Sequence, residues 1–226
     1  MKTFRTCLTL TALSGLAFAG AGFGPGSSTG HDAQPAEPTE AGELAPRTGL
    51  PVGYDAPDAA LWTDEGEKIQ LADLIEKAEG PVVLVFYRGG WCPYCTKHLA
   101  ALQNKVDDLE ELGATLLAIS PESYDKLAVS EEKSEAEFTL LSDGEMEASK
   151  AYNLIFDVDD DTQAHYRNYG IELENWNANE EWKLPVPAVF VIDTEGVIRW
   201  AHADEDYSKR ISGRKIVKAV EELVED

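Results

Sequence analysis

The chain has 226 residues, enough for one domain of ordinary size with appendages. It carries 42 Asp and Glu against 19 Lys and Arg, a formal net charge of −23, while 43% of its residues are hydrophobic. So acidic a surface repels phosphate backbones and anionic lipid, which excludes nucleic acid as a partner and argues against a membrane-surface role; the charge reads as a well-solvated exterior.

Residues 1–19 read as a signal peptide. Lys2 and Arg5 supply the positive start, residues 7–18 form a mostly apolar stretch too short to span a bilayer comfortably, and Ala17-Phe18-Ala19 fits a small-x-small cleavage site. The expectation is an exported protein, periplasmic or extracellular, without stable membrane insertion and with Cys7 discarded; a retained anchor is the alternative. Residues 20–49 are rich in Gly, Pro, Ala, Ser and Thr with no apolar period, the composition of a disordered linker. The folded domain is expected over residues 50–226.

Within that domain, residues 71–77 predict a short helix, and VVLVFY at 82–87 is the continuous β-branched run of a strand buried on both faces. Leu99, Leu102, Val106, Leu109 and Leu112 recur at spacings of three and four, which predicts one amphipathic helix ended by Gly113. ATLLAI at 114–119 is a second buried strand. A helix from the early 120s to about 132, an extended piece at 138–141 and a helix at 145–152 follow. Residues 155–183, with Trp176 and Trp182, form a less regular insertion that shapes a substrate groove or a dimer contact. Apolar runs at 189–193 and 197–201 flank Thr194-Glu195-Gly196 as a hairpin, and Ser212 is placed to cap a last helix with Ile216, Val217, Val220 and Leu223 inward. This order implies an α/β class protein, a three-layer α/β/α sandwich on a mixed sheet.

Two cysteines remain after the leader, Cys92 and Cys95. A bridge between them closes almost no loop, so it stabilises little, and the pair reads as chemical. Cys92-Pro93-Tyr94-Cys95 falls between a buried strand and a helix, where unpaired N–H groups and the helix dipole favour a thiolate. Pro93 suits the first turn. Cys92 is expected to project outward and attack; Cys95 is expected to lie deeper and resolve. Trp91 either packs over the site or is a plain core residue. Cys92, Cys95 and His98 have ligand-like spacing for a soft metal, but no fourth ligand stands out, and His98 reads as a solvated helix residue. Asp157, Asp159 and Asp161 lack the Gly and Glu of a calcium loop and read as a solvated acidic stretch. No organic cofactor is called for.

FYRGGWCPYC, the Leu-rich helix after it, GATLLAIS, and LPVPAVFVIDTEGVIRWAHADEDY resemble the peroxiredoxin-like branch of the thioredoxin superfamily (the alkyl hydroperoxide reductase and thiol-specific antioxidant type), and Ala56-Pro57-Asp58 is similar to its opening segment. The resemblance spans residues 50–224 and implies a thioredoxin-like fold and antioxidant redox chemistry. It departs from that branch in two ways. The peroxidatic position falls on Cys95, with Cys92 where a Thr is usual and Arg88 where a Pro is usual; the Arg position holds Pro187. The resemblance therefore also implies a thioredoxin-type Pro187, cis, presenting Val186 to a substrate chain, with Arg88 available as a substitute cation. The expected function is thiol–disulfide oxidoreductase, with Cys92 attacking a disulfide and an electron-donor protein as partner. The rivals are a thiol peroxidase, Cys95 peroxidatic and Cys92 resolving, and a soft-metal-binding module.

Overall fold

The structure is a computed structural model that describes residues 48–225; the expected signal peptide, and the expected linker up to residue 47, lie outside the described residues. Thr48 and Gly49, just inside, hydrogen-bond to Glu205 (Oγ1 to Oε1, 2.6 Å) and to the Asn153 carbonyl (2.9 Å).

The framework grows outward from one strand. β3 (Val82–Phe86) is buried at every residue, as its unbroken Val-Val-Leu-Val-Phe run requires. β4 (Thr115–Ser120) pairs parallel with it, and β5 (Thr139–Ser142) parallel with β4; β8 (Ala188–Ile192) pairs antiparallel on its other side, followed by β9 (Ile198–Ala203). A hairpin of β1 (Ala60–Trp62) and β2 (Lys68–Gln70), too short to stand out in the sequence, completes a seven-stranded sheet in the order β2-β1-β5-β4-β3-β8-β9.

Alternation along β3 splits the core in two. Val83, Val85 and Tyr87 pack with Leu99 and Leu102 of α2 (Pro93–Gln103), Leu109 of α3 (Val106–Glu111), Leu127 of α4 (Tyr124–Ser134) and Ile216 and Val220 of α7 (Gly213–Glu225). Val82, Leu84 and Phe86 pack on the other face with Leu71 and Ile75 of α1 (Leu71–Lys77) and Ala148 of α5 (Glu147–Ala151). Two cores on one sheet give the three-layer α/β/α sandwich that the sequence predicts.

The single helix expected to end at Gly113 is two. α2 stops at Asn104, whose side-chain amide donates to the Ala100 carbonyl at 2.8 Å and competes with the helical ladder there; α3 restarts at Val106, and Gly113 follows it at φ +74°. The leucine spacing carries across the break because both helices press on the same sheet face. The insertion is also more regular than its sequence suggests. β6 (Ile155–Asp157) and β7 (Lys183–Pro185) pair antiparallel, enclosing α6 (Asp160–Asn168). The Asp159 side chain caps α6 by accepting from the Thr162 N–H at 2.9 Å, which is what that acidic stretch does structurally. Val158, Tyr166, Leu173 and Leu184 form a small core of the insertion, with Trp91 packed against it.

Leu84 is fully buried at the centre of the sheet. Leu84→Ala should therefore lower unfolding free energy by about 2–5 kcal/mol, seen as a lower urea midpoint at unchanged slope with the cysteines kept reduced.

Candidate functional site

β3 ends at Phe86, and the chain turns through Tyr87–Trp91 before α2 begins. Two glycines make the turn possible. Gly89 has φ +142°, and a Cβ there would run into the Trp91 indole; a Cβ on Gly90 would strike the Ser130 side chain of α4. Trp91 thus folds back over the turn, and Cys92 arrives as the N-cap of α2 with Pro93 at the first helical position, as expected. The Cys95 and Thr96 N–H groups donate to the Cys92 carbonyl at 2.9 and 3.1 Å.

The two thiols, both reduced, sit in different surroundings. Cys92 is buried rather than projecting outward: the sequence reading missed that the insertion closes over it. It nonetheless lines a cavity of about 560 Å³ together with Arg88, Trp91, Pro93, Tyr94, Tyr166 and Tyr207, whereas Cys95 is fully enclosed. The Cys92 pKa is brought down to about 6: the Cys95 thiol donates to it, the Arg88 charge and the Cys95 and Tyr94 N–H groups favour its thiolate, and these outweigh burial. Burial, reinforced by the Cys92 charge, pushes Cys95 well up.

Arg88 is the cation of the site. It is 1% exposed, and among the described residues no carboxylate lies within ion-pair distance. Its guanidinium instead lies 5.0 Å from the Trp91 ring centre, 5.5 Å from Tyr166 and 4.4 Å from Tyr207, and donates to the Tyr166 hydroxyl. Burial lowers its pKa, and the two cysteines raise it. Trp91, half-buried, packs at a tilt against Tyr166 with ring centres 5.4 Å apart, so it does lie over the site; Tyr94, largely exposed, meets Tyr207 edge-on at 5.8 Å.

Two expected neighbours are elsewhere. The Val186–Pro187 bond is trans, and Pro187 lines a small cleft with His98, His202 and Arg210 rather than the Cys92 cavity. The Val186 N–H donates to the Leu154 carbonyl at 2.7 Å, because β7 of the insertion runs directly into this segment and has claimed its backbone. His98 is buried, not solvated. Its Nε2 lies 3.0 Å from the Ile211 carbonyl, and burial, helped by the Arg210 charge, lowers its pKa to about 4, so it is neutral at pH 7. Among the described residues no three His, Cys, Asp or Glu side chains gather as a metal centre.

Three participants escaped the sequence reading. Glu122, fully buried, accepts from the Gly90 N–H (2.9 Å) and the Ser120 and Ser130 hydroxyls (3.0 and 2.8 Å), which anchors the turn before Trp91; its only signal is an acid two residues after a buried strand. Tyr166 comes from the insertion. Arg210 places Nη2 3.3 Å from the Cys95 sulfur.

The AhpC/TSA family model matches residues 52–201. Peroxiredoxin Bcp of Bacillus subtilis is 31% identical over 105 residues, 46% of this chain and 65% of that protein, so the match spans just under two thirds of that relative. A putative peroxiredoxin bcp of Coxiella burnetii is 32% identical over 149 residues, 66% of this chain and 85% of that protein. The crystal structure of peroxidoxin BcpB from Mycobacterium tuberculosis superposes with a TM-score of 0.59 at 20% identity, covering 78% of this chain and 99% of that one; at that identity it shows the fold, which is thioredoxin-like.

Alkylation mapped to Cys92 by mass spectrometry, with Cys95 in place, should titrate near pH 6, and Arg88→Gln should move that midpoint upward and slow the reaction several-fold at pH 7. Because the folded-state value lies below that of a free thiol, the stability this thiolate contributes is full in alkaline solution and is lost as pH falls through about 6.

Proposed function

Since the chain belongs to the AhpC/TSA family, we propose that it is a thiol-dependent antioxidant oxidoreductase in which Cys92 attacks and Cys95 resolves. One observation carries this reading: of two sulfurs three residues apart, one is an acidified thiol open to a cavity and the other is a suppressed thiol with no access. The Cys92 thiolate attacks an electrophilic sulfur, giving a mixed disulfide and a released thiol, or a peroxide oxygen, giving a sulfenic acid and an alcohol or water. Cys95 then displaces the second group and closes the Cys92–Cys95 disulfide. Arg88, held beside Cys92, favours the thiolate and the negative charge leaving it. The relatives' name, peroxiredoxin, supports peroxide as an oxidant; the C-x-x-C spacing supports disulfide exchange by the same two steps. Each turnover consumes two electrons, so a donor protein reopens the bridge.

A second reading, with Cys95 peroxidatic and Cys92 resolving, draws on the Arg210 contact to Cys95 and on the family position that Cys95 occupies. The enclosure of Cys95 and its raised pKa weigh against it. Export to the periplasm or beyond rests on Lys2, Arg5 and Ala17-Phe18-Ala19; among the described residues no helix is long and apolar enough to cross a membrane.

The reduced chain, with Cys7→Ser so that the pair is its only thiol source, should consume one equivalent of hydrogen peroxide or a small disulfide and form the Cys92–Cys95 bridge, followed by alkylation and mass spectrometry. Cys92→Ser should lose this reaction. Cys95→Ser should react once and stop with the adduct on Cys92. A sulfenate formed on Cys95 in Cys92→Ser, at an undiminished rate, reverses the two roles.

A further inference from the structure

The proposed sequence of events leaves one difficulty in the second step. Cys95 is fully enclosed and its thiol is held protonated, yet it must deliver a sulfur nucleophile to Cys92. We propose, resting on the Cys92-first reading above, that Arg210 is the positioning residue for the resolving step, and that the two arginines divide the pair, Arg88 serving Cys92 and Arg210 serving Cys95.

The geometry is that of a built contact. Arg210 Nη2 donates to the Cys95 sulfur at 3.3 Å. Nη1 donates to the Tyr207 carbonyl and, at 2.6 Å, to the Lys209 carbonyl, which fixes the plane of the guanidinium. Among the described residues no carboxylate pairs with it, and its Nε is buried without a partner, so the charge is spent on sulfur rather than on an acid. The segment that carries Arg210 is tied down at both ends. The Asp204 N–H donates to the Pro187 carbonyl at 3.3 Å, and Ile211, buried in the core, holds His98 Nε2 on its carbonyl at 3.0 Å. Between them Tyr207 lies over Arg88 at 4.4 Å and against Tyr94 at 5.8 Å. One strap therefore reaches both sulfurs: Tyr207 steadies the cation of the first, and Arg210 touches the second.

The order of the two steps follows from charge. The groups facing Cys95 are Cys92, Tyr87, Arg88 and Arg210. While Cys92 is a thiolate it opposes a second thiolate beside it. Once Cys92 carries a hydroxyl or a substrate sulfur, that opposition is gone and the Arg210 cation remains. In the resolving step the Cys95 S–H bond breaks, the Cys95–Cys92 S–S bond forms and the bond from Cys92 to its adduct breaks. Cys95 is oxidised, the leaving group takes the electron pair and the proton, and it departs as water or as a thiol. Arg210 stabilises the negative charge on Cys95 in passing.

A symmetric chromogenic aryl disulfide separates the steps, because attack by Cys92 releases one coloured thiol and resolution by Cys95 releases the second. In the full chain carrying Cys7→Ser, Arg210→Gln should leave the first release within about twofold and slow the second about tenfold to a hundredfold. It should also move the pH at which the second release is half-maximal upward, and Arg210→Lys should restore part of both. An unchanged second release, equal slowing of both releases, or a Lys variant no better than Gln overturns the assignment. Mapping the adduct in Cys95→Ser tests the reading it rests on: an adduct on Cys92 upholds that reading whatever Arg210 does, and failure to form one overturns both.

Discussion

A guanidinium buried among three aromatic rings, with no carboxylate among the described residues to meet it, is the constraint around which the site is organised. Removing an ion of this kind from water costs several kcal/mol, and the π-faces of Trp91, Tyr166 and Tyr207 offset part of that. The remainder favours an anion beside it, and among its titratable neighbours the Cys92 thiol has the strongest charge interaction with it. Each ring arrives from a different part of the chain: Trp91 from the turn after the central strand, Tyr166 from the insertion, and Tyr207 from the strap before the last helix. Arg88 thus joins three pieces that are far apart in sequence, and the acidity of Cys92 is a property of that assembly as much as of the helix terminus.

Much of the fold was legible because its signals are local. The run at Val82–Phe86 is apolar at every position, the 71–77 helix matches its element residue for residue, and the hairpin over Thr194-Glu195-Gly196 has its turn residues in place. The cysteine pair was legible for the same reason, since strand, Gly-Gly turn and Pro-containing helix start are contiguous. What failed mostly depended on contacts distant in sequence. His98 is exposed by its local pattern and buried only because Ile211, 113 residues on, supplies its partner. One failure is local: the Asn104 side chain, bonded to the Ala100 carbonyl, breaks a helix whose leucine period runs on. Arg210 lies in a polar stretch, and no feature of its neighbours in sequence points at a sulfur 115 positions earlier. The resemblance supplied an expectation for Pro187 that the insertion overrides.

The acid at Glu122 shows a different economy. A carboxylate with a raised pKa is enclosed against the back of the turn, accepting from one backbone N–H and two hydroxyls. Satisfied in this way, it acts as a rigid post rather than as a reacting group, and it fixes Gly90 against α4 so that the sulfur-bearing end of α2 has a defined origin. The sulfurs themselves are met by arginines, Arg88 beside Cys92 and Arg210 on Cys95.

The hydrogen bond from Val186 to Leu154 carries a consequence for what this protein accepts. In proteins that dock an extended peptide alongside a sheet, free main-chain donors and acceptors hold any sequence in place, and side chains are secondary. Here the Val186 N–H is already paired within the molecule, and the cavity over Cys92 is lined by rings and a guanidinium. The cavity above Cys92 accordingly presents the Trp91, Tyr94, Tyr166 and Tyr207 rings and the Arg88 guanidinium rather than a free strand edge.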